Sequence, residues 1–320
     1  MLLLIQQSID CLGTFIALSA LNTQKLMLST PTIFERYQQI KERTPQSNAK
    51  AVVRDINSLI EIADDISAFV FDAFGVLNVG DTLIQGADER MQELREKGSH
   101  IRILTNAASY DHAGAVEKFK TLGLSVKDDE IITSRQAAIA HLDKRNWGVI
   151  AAPEDLLEDI SVPTTRLGTD ADEYDAADGF LFLSTTGWTE KGQRLLTDTL
   201  LKRTRPVVIA NPDLVAPRND GFSIEPGHYG HLLVDQGIDT VRFFGKPFSE
   251  VYQLIEDSLP GVEPGNIVMC GDTLHTDILG AAARNWRTVL VTQDGLFAGY
   301  ETGGFCEESG VYPDWRLPRI

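Results

Sequence analysis

Four short apolar runs each end in residues able to do polar chemistry. AFVF (68–71) leads into Asp72, IRIL (101–104) into Thr105 and Asn106, VRFF (241–244) into Gly245 and Lys246, and IVMC (267–270) into Gly271 and Asp272, with Asp277 shortly after. Uninterrupted apolar runs of this length suit strands buried on both faces, as in a parallel sheet. In an open parallel sheet all carboxyl ends share one edge, and ligands bind there. The pattern therefore predicts that these carboxylates, a lysine, a hydroxyl and an amide meet, although they are far apart in the chain. Taken singly, each also has a plain structural role. Asp72 and Asp277 suit helix N-caps, Thr105 and Asn106 suit a turn, and Lys246 suits a solvated loop. Cys270, inside an apolar run, suits a core position better than a nucleophile.

The elements that must position these residues alternate in type. Helical segments, including one over 277–285, separate the apolar runs, and TVLV (288–291) follows that helix. Such alternation argues for right-handed crossovers and a doubly wound α/β fold with a parallel sheet. Between the second and third polar strand ends lie WGVIAA, GFLFLSTTGW and PVVIANPDLVAPR, enough chain for a smaller α/β domain. The expected organisation is a core domain over 66–145 and 241–320, and an inserted cap domain over 146–240. Residues 1–65 read as a mostly helical extension, with amphipathic helices over 33–41 and 51–63.

Composition narrows the function classes. The chain has 320 residues, of which 43% are hydrophobic and 23% charged, enough to bury a sizeable core. Its 46 acidic against 29 basic residues give a net charge of −17. That balance disfavours nucleic acid and anionic membrane as partners. An anionic substrate then needs local neutralisation, for which a divalent metal is the obvious candidate. Cys11, Cys270 and Cys306 form no disulfide or zinc pattern, which fits a reducing, cytoplasmic location. The apolar stretch over 1–22 is interrupted by Gln6, Gln7, Ser8 and Asp10, and no basic residue precedes Lys25. It reads as an extension rather than a signal or anchor, and Met27 is an alternative start of translation.

FVFDAFGVL, LTNAAS, FFGKP and GDTLHTDILGAA resemble, in order, the four motifs of the haloacid dehalogenase (HAD) superfamily. ANPDLVAPR, EPGHYGHLL and the position of the insertion resemble its class IIA, the NagD-like and p-nitrophenylphosphatase-like group. The resemblance covers about residues 66–298 and implies a Rossmann-like core with a C2-type cap. It makes Asp72 the nucleophile that forms an aspartyl-phosphate. Thr105 and Asn106 would hold phosphoryl oxygens, and Lys246 would neutralise charge between nucleophile and phosphoryl group. Asp72, the Phe74 carbonyl, Asp272 and Asp277 would hold Mg²⁺. Physics agrees: carboxylates crowded beside one lysine repel each other, and a hard divalent cation relieves this. The resemblance further implies a small phosphorylated metabolite as substrate, met by cap residues among which Asn211, Asp213 and His228 are candidates. It also allows a homodimer formed through the cap.

The sequence departs from the family at one position. The family's phosphatases carry Asp two residues after the nucleophile, to protonate the leaving oxygen and then activate water; here Phe74 stands there. A positioned acid/base contributes typically about 10²–10⁴-fold. Three readings follow. One is a Mg²⁺-dependent phosphatase of weak or specialised activity, with His112, His228 or His231 as conceivable replacement donors. The second is a metal-independent 2-haloacid dehalogenase-like hydrolase, since halide leaves without a proton. The third is a non-catalytic binder of phosphate ligands.

Overall fold

The computed structural model describes residues 28–47 and 52–320. The 1–22 stretch with Cys11, and Met27, lie outside the described residues. The core is a seven-stranded sheet whose strands all run parallel. Across its width the order is Arg54–Asp55, Trp315–Leu317, Arg287–Val291, Ile267–Gly271, Ala68–Phe71, His100–Thr105 and Ile131–Thr133. Every residue of Ala68–Phe71 and Ile267–Gly271 is buried. Helices cover both faces, which is why these runs are apolar throughout rather than alternating. Three adjacent strands thus deliver Asp272, Asp72 and Thr105 side by side at one edge.

The insertion forms its own five-stranded parallel sheet, ordered Val241–Phe243, Val207–Ile209, Gly179–Phe182, Trp147–Ile150 and Thr164–Arg166. Phe180, Phe182, Leu196, Val207 and Ile209 fill its separate core. An antiparallel hairpin, Val215–Arg218 with Gly221–Ile224, projects from it. The expected α/β core with a smaller α/β cap is the observed architecture.

Several local expectations differ. The strand expected to carry Lys246 to the core sheet, Val241–Phe243, pairs instead with Val207–Ile209 of the cap; the chain then crosses back to the core through Gly245. Residues 52–63 do not form the expected α-helix. Arg54–Asp55 pairs with Trp315–Arg316 at the sheet edge, and a 3₁₀ turn, Leu59–Asp65, drops Leu59 and Ile62 into the core. This part of the extension therefore belongs to the core domain. The helix expected to begin at Asp277 begins earlier, as a π-helical turn over Leu274–Ile278. The helix after Glu225 spans Pro226–Asp235, with Pro226 favoured in its first turn, and carries both His228 and His231.

The helix Thr30–Ile40 ties the two domains together. It buries Ile33, Phe34 and Tyr37 against Leu214 from the insertion and Leu274, Ile278 and Phe297 from the core. Thr30 donates to the Leu296 carbonyl, and the Leu214 N–H donates to the Tyr37 hydroxyl at 3.2 Å. Arg36 and Arg43 both pair with Asp235 on the cap helix.

Candidate active site

The strand ends converge as the sequence suggested. Lys246 is buried and its Nζ bonds Asp72 and lies 2.8 Å from Asp277. One carboxylate oxygen from each of Asp72, Asp272 and Asp277 falls within 4.8 Å of the others. Asp272 is fixed on both oxygens, accepting from the Thr273 hydroxyl at 2.9 Å and from the Leu296 N–H at 2.7 Å. Asp277, inside the π-helical turn, accepts from the Thr273 N–H at 3.1 Å. Such irregular turns recur at functional sites because they re-aim a side chain without breaking the helix. Two positions require glycine. Gly75 has φ +79° and a Cβ there would lie 2.6 Å from Asp272 Oδ2. Gly245 has φ +122° and its Cβ would lie 2.5 Å from Asn106 Oδ1.

Asn106 works as a clamp. Its side-chain oxygen accepts from the Lys246 N–H at 2.8 Å, and its amide donates to the Lys246 carbonyl at 3.0 Å and to Asp213 at 2.8 Å. Its side chain is therefore committed to placing Lys246 and Asp213. The Thr105 hydroxyl accepts from the Ala107 N–H at 3.1 Å, which leaves its proton free to donate. Asn211 accepts from the Asp213 N–H at 3.0 Å and donates to Glu225 at 3.1 Å, so it shapes the turn that delivers Asp213.

Charge is heavily unbalanced. Burial, then the neighbouring Asp277, raises the Asp72 carboxyl above the usual range while Lys246 pulls it down. Burial, then Asp277 and Asp72, raises Asp272. Burial also drives Asp213 well above that range, with Asp72 adding to the effect against Lys246. Burial works against the Lys246 ammonium, yet Asp277, Asp72 and Asp213 together hold its pKa above the usual lysine value. Three carboxylates, Asp72, Asp213 and Asp277, thus act on one buried cation, with Asp272 crowded beside Asp72 and Asp277. Asp72, Asp272 and Asp277 form an all-oxygen set, which suits a hard divalent ion.

The site opens into a cavity of about 630 Å³ between core and cap, lined by Asp72, Thr105, Asp213 and Asp272 and, farther out, by Thr186 and Leu156 from the cap. That size suits a small metabolite. Phe74 lines it too, in the position two residues after Asp72. Two cations lie over its ring: Lys118 Nζ 4.8 Å and Arg218 Cζ 4.6 Å from the centroid. Burial, then Arg218, lowers the Lys118 pKa. Neither residue was singled out in the sequence, since no spacing rule links 118 or 218 to 74.

The histidines do not join the site. His228 packs edge-on to Tyr229, and burial, then Arg36, lowers its pKa to about 4. His231 stacks on Phe243, and burial, then Arg43 and Arg36, lowers its pKa to about 3. His112 bonds Gln136. None of the three lines the cavity, so the expectation that His228 meets substrate is corrected: its helix turns it toward the Thr30–Ile40 helix. Cys270 is a buried core residue, as expected.

Comparison with known proteins agrees with this geometry. Residues 69–158 match the family model described as haloacid dehalogenase-like hydrolase, and residues 243–298 match the HAD-hydrolase-like model. Phosphoglycolate phosphatase 1A, chloroplastic, of Arabidopsis thaliana is 28% identical over 301 residues, covering 87% of this chain and 81% of its own. Haloacid dehalogenase-like hydrolase domain-containing protein 2 of Bos taurus is 27% identical, covering 71% and 84%. Among solved structures, a possible sugar phosphatase of the HAD superfamily from Cytophaga hutchinsonii superposes with TM-score 0.73 at 24% identity, covering 83% of this chain and 98% of its own. The p-nitrophenyl phosphatase from Archaeoglobus fulgidus gives 0.65 at 21%, covering 80% and 97%. Both halves of the core thus match models of haloacid dehalogenase-like hydrolases, and the solved structures share the chain's fold.

Proposed function

We propose that the protein is a Mg²⁺-dependent phosphatase that transfers the phosphoryl group of a small ester to Asp72. The observation that carries this reading is the cluster of Asp72, Asp272 and Asp277, two of them paired with the buried Lys246, at the edge of a cavity between core and cap. Phosphatases are also prominent among the proteins most similar to it.

Asp72, Asp272, Asp277 and the Phe74 carbonyl would hold the ion. When bound, it would neutralise the crowded carboxylates and screen the phosphoryl charge. The remaining chemistry falls to the chain. An Asp72 oxygen attacks phosphorus, the bond from phosphorus to the leaving oxygen breaks, and an aspartyl-phosphate forms. Lys246 holds the attacking carboxylate in place and meets the phosphoryl oxygens as charge develops. The Thr105 hydroxyl donates to one of them. Water then attacks the phosphorus of the aspartyl-phosphate, releasing phosphate and restoring Asp72.

Phe74 cannot supply or take a proton in either step, and no histidine replaces it. The favoured substrates are therefore esters whose leaving oxygen departs as a stable anion, such as aryl or acyl phosphates. The retained Asp272–Asp277 pair favours this reading over metal-free dehalogenation, which has no use for it. Hydrolysis of p-nitrophenyl phosphate, with and without Mg²⁺, tests the proposal. Activity that disappears with chelator and in Asp72→Asn is expected. Chloride release from a 2-haloacid without metal, or phosphate binding with no turnover on any aryl or acyl phosphate, overturns it. A cytoplasmic location belongs to the same reading; among the described residues no helix is long and apolar enough to cross a membrane.

A further inference from the structure

We propose that Lys118 and Arg218, gathered on the ring of Phe74, form a subsite for a carboxylate carried by the substrate's leaving group. The inference rests on the phosphatase reading above and names the kind of ester that reading accepts.

The two cations come from different parts of the fold. Lys118 sits on the core helix His112–Thr121, and Arg218 ends the first strand of the hairpin projecting from the insertion. Both line the cavity that holds Asp72. Bringing two like charges to one ring costs energy that cation–π attraction offsets only in part. An anion between them removes that cost.

The charge balance selects the type of anion. The Arg218 guanidinium pairs with Glu225 at 3.2 Å and bonds Ser223 at 2.9 Å, so it is oriented and compensated. Lys118 makes no ion pair within 4 Å among the described residues; Asp81 and Glu225 attract it, but Asp81 is solvent-exposed, where screening weakens the pull, and Glu225 is the carboxylate already paired with Arg218. The subsite therefore offers about one uncompensated positive charge, which matches a carboxylate better than a second, dianionic phosphate.

A matched pair of esters isolates the charge. 3-Carboxyphenyl phosphate and 3-carbamoylphenyl phosphate differ little in shape, and kcat/KM is measured for each with Mg²⁺. The wild-type protein should prefer the carboxylate about tenfold or more, the worth of one charge-assisted hydrogen bond. Lys118→Met should erase most of that preference, and Lys118→Arg should retain it. Lys118 is partly buried and Met keeps an unbranched apolar stem of similar length, so Lys118→Met is expected to fold; a thermal melt checks this. Equal use of the two esters by the wild type, or an unchanged preference in a folded Lys118→Met, overturns the subsite while leaving the phosphatase reading intact. Hydrolysis of neither ester counts against the phosphatase reading instead. Calorimetric titration of the Mg²⁺-loaded protein with the same two esters then decides the subsite alone, through the same preference and its loss in Lys118→Met.

Discussion

Replacing Phe74 by Asp puts a carboxyl two residues after the proposed nucleophile, where the sequence resemblance expects one, and the gain is bounded by the surroundings. A well-placed acid/base contributes about 10²–10⁴-fold, or roughly 3–5 kcal/mol of barrier at about 1.4 kcal/mol per decade. Here the new carboxyl is flanked by Lys118 and Arg218, whose charges lie 4.8 and 4.6 Å from the present ring centre. A unit charge about 5 Å away interacts at about 3 kcal/mol with an effective dielectric constant of 20. Arg218 is partly solvated and already paired with Glu225, so a net pull of about 1–2 kcal/mol remains, roughly one pKa unit downward. A lowered pKa leaves less of the acid protonated near neutrality. The gain should therefore fall near the lower bound, about 10², and only for esters with a poor leaving group. In the assay, kcat/KM for glycerol phosphate and for p-nitrophenyl phosphate is compared in wild type, Phe74→Asp and Phe74→Asp/Lys118→Met. The double variant should exceed the single one on glycerol phosphate, with a pH profile extended upward as the carboxyl regains its proton. A folded Phe74→Asp with no gain on glycerol phosphate would refute the reasoning, because it would mean that the rest of the site is not competent.

Other perturbations are as direct. Gly295→Ala places a Cβ 2.1 Å from Asp272 Oδ2, so Asp272 must move; Mg²⁺ affinity, read by calorimetry, should fall, with about 1–3 kcal/mol lost in stability. In metal-free protein the carboxyl pKa values of Asp72, Asp272 and Asp213 are raised above their unfolded values. The folded state then holds more protons, so stability is greatest at or below the ordinary carboxylate pKa of about 4 and falls as pH rises toward neutrality and beyond. Melting curves across pH should show this fall, and saturating Mg²⁺ should flatten it. Tyr37→Phe leaves the buried Leu214 N–H without its partner, which should cost about 1–3 kcal/mol in chemical denaturation; a stability equal to wild type would mean that the Thr30–Ile40 helix does not hold the insertion to the core.

The parts of this fold that could be read from sequence are those written in local chemistry. AFVF and IVMC had to be doubly buried strands, and adjacent parallel strands had to present Asp72 and Asp272 together. VRFF carried the same signal but joined the cap sheet, because an apolar run does not name its partner strand. Residues 51–63 have helical periodicity, yet the described part from 52 holds an edge strand and a 3₁₀ turn, since the open edge beside Trp315 offered hydrogen bonds that an isolated helix there could not match. Asp213 was visible as part of a turn, but not as a third carboxylate acting on the lysine; that depends on Asn106 reaching across the domain junction. Lys118 and Arg218 meet at Phe74 only through tertiary structure.

If Asp72 is phosphorylated and Phe74 cannot activate water, the second step is slow and the intermediate accumulates. Protein mixed with p-nitrophenyl phosphate and Mg²⁺ is quenched in acid, digested and mapped by mass spectrometry. The expected result is a phosphoryl group on Asp72, accompanied by a burst of p-nitrophenolate close to one per chain. Turnover with Asp72 unmodified, or with the phosphoryl group on another residue, would contradict the assignment of Asp72 as the nucleophile.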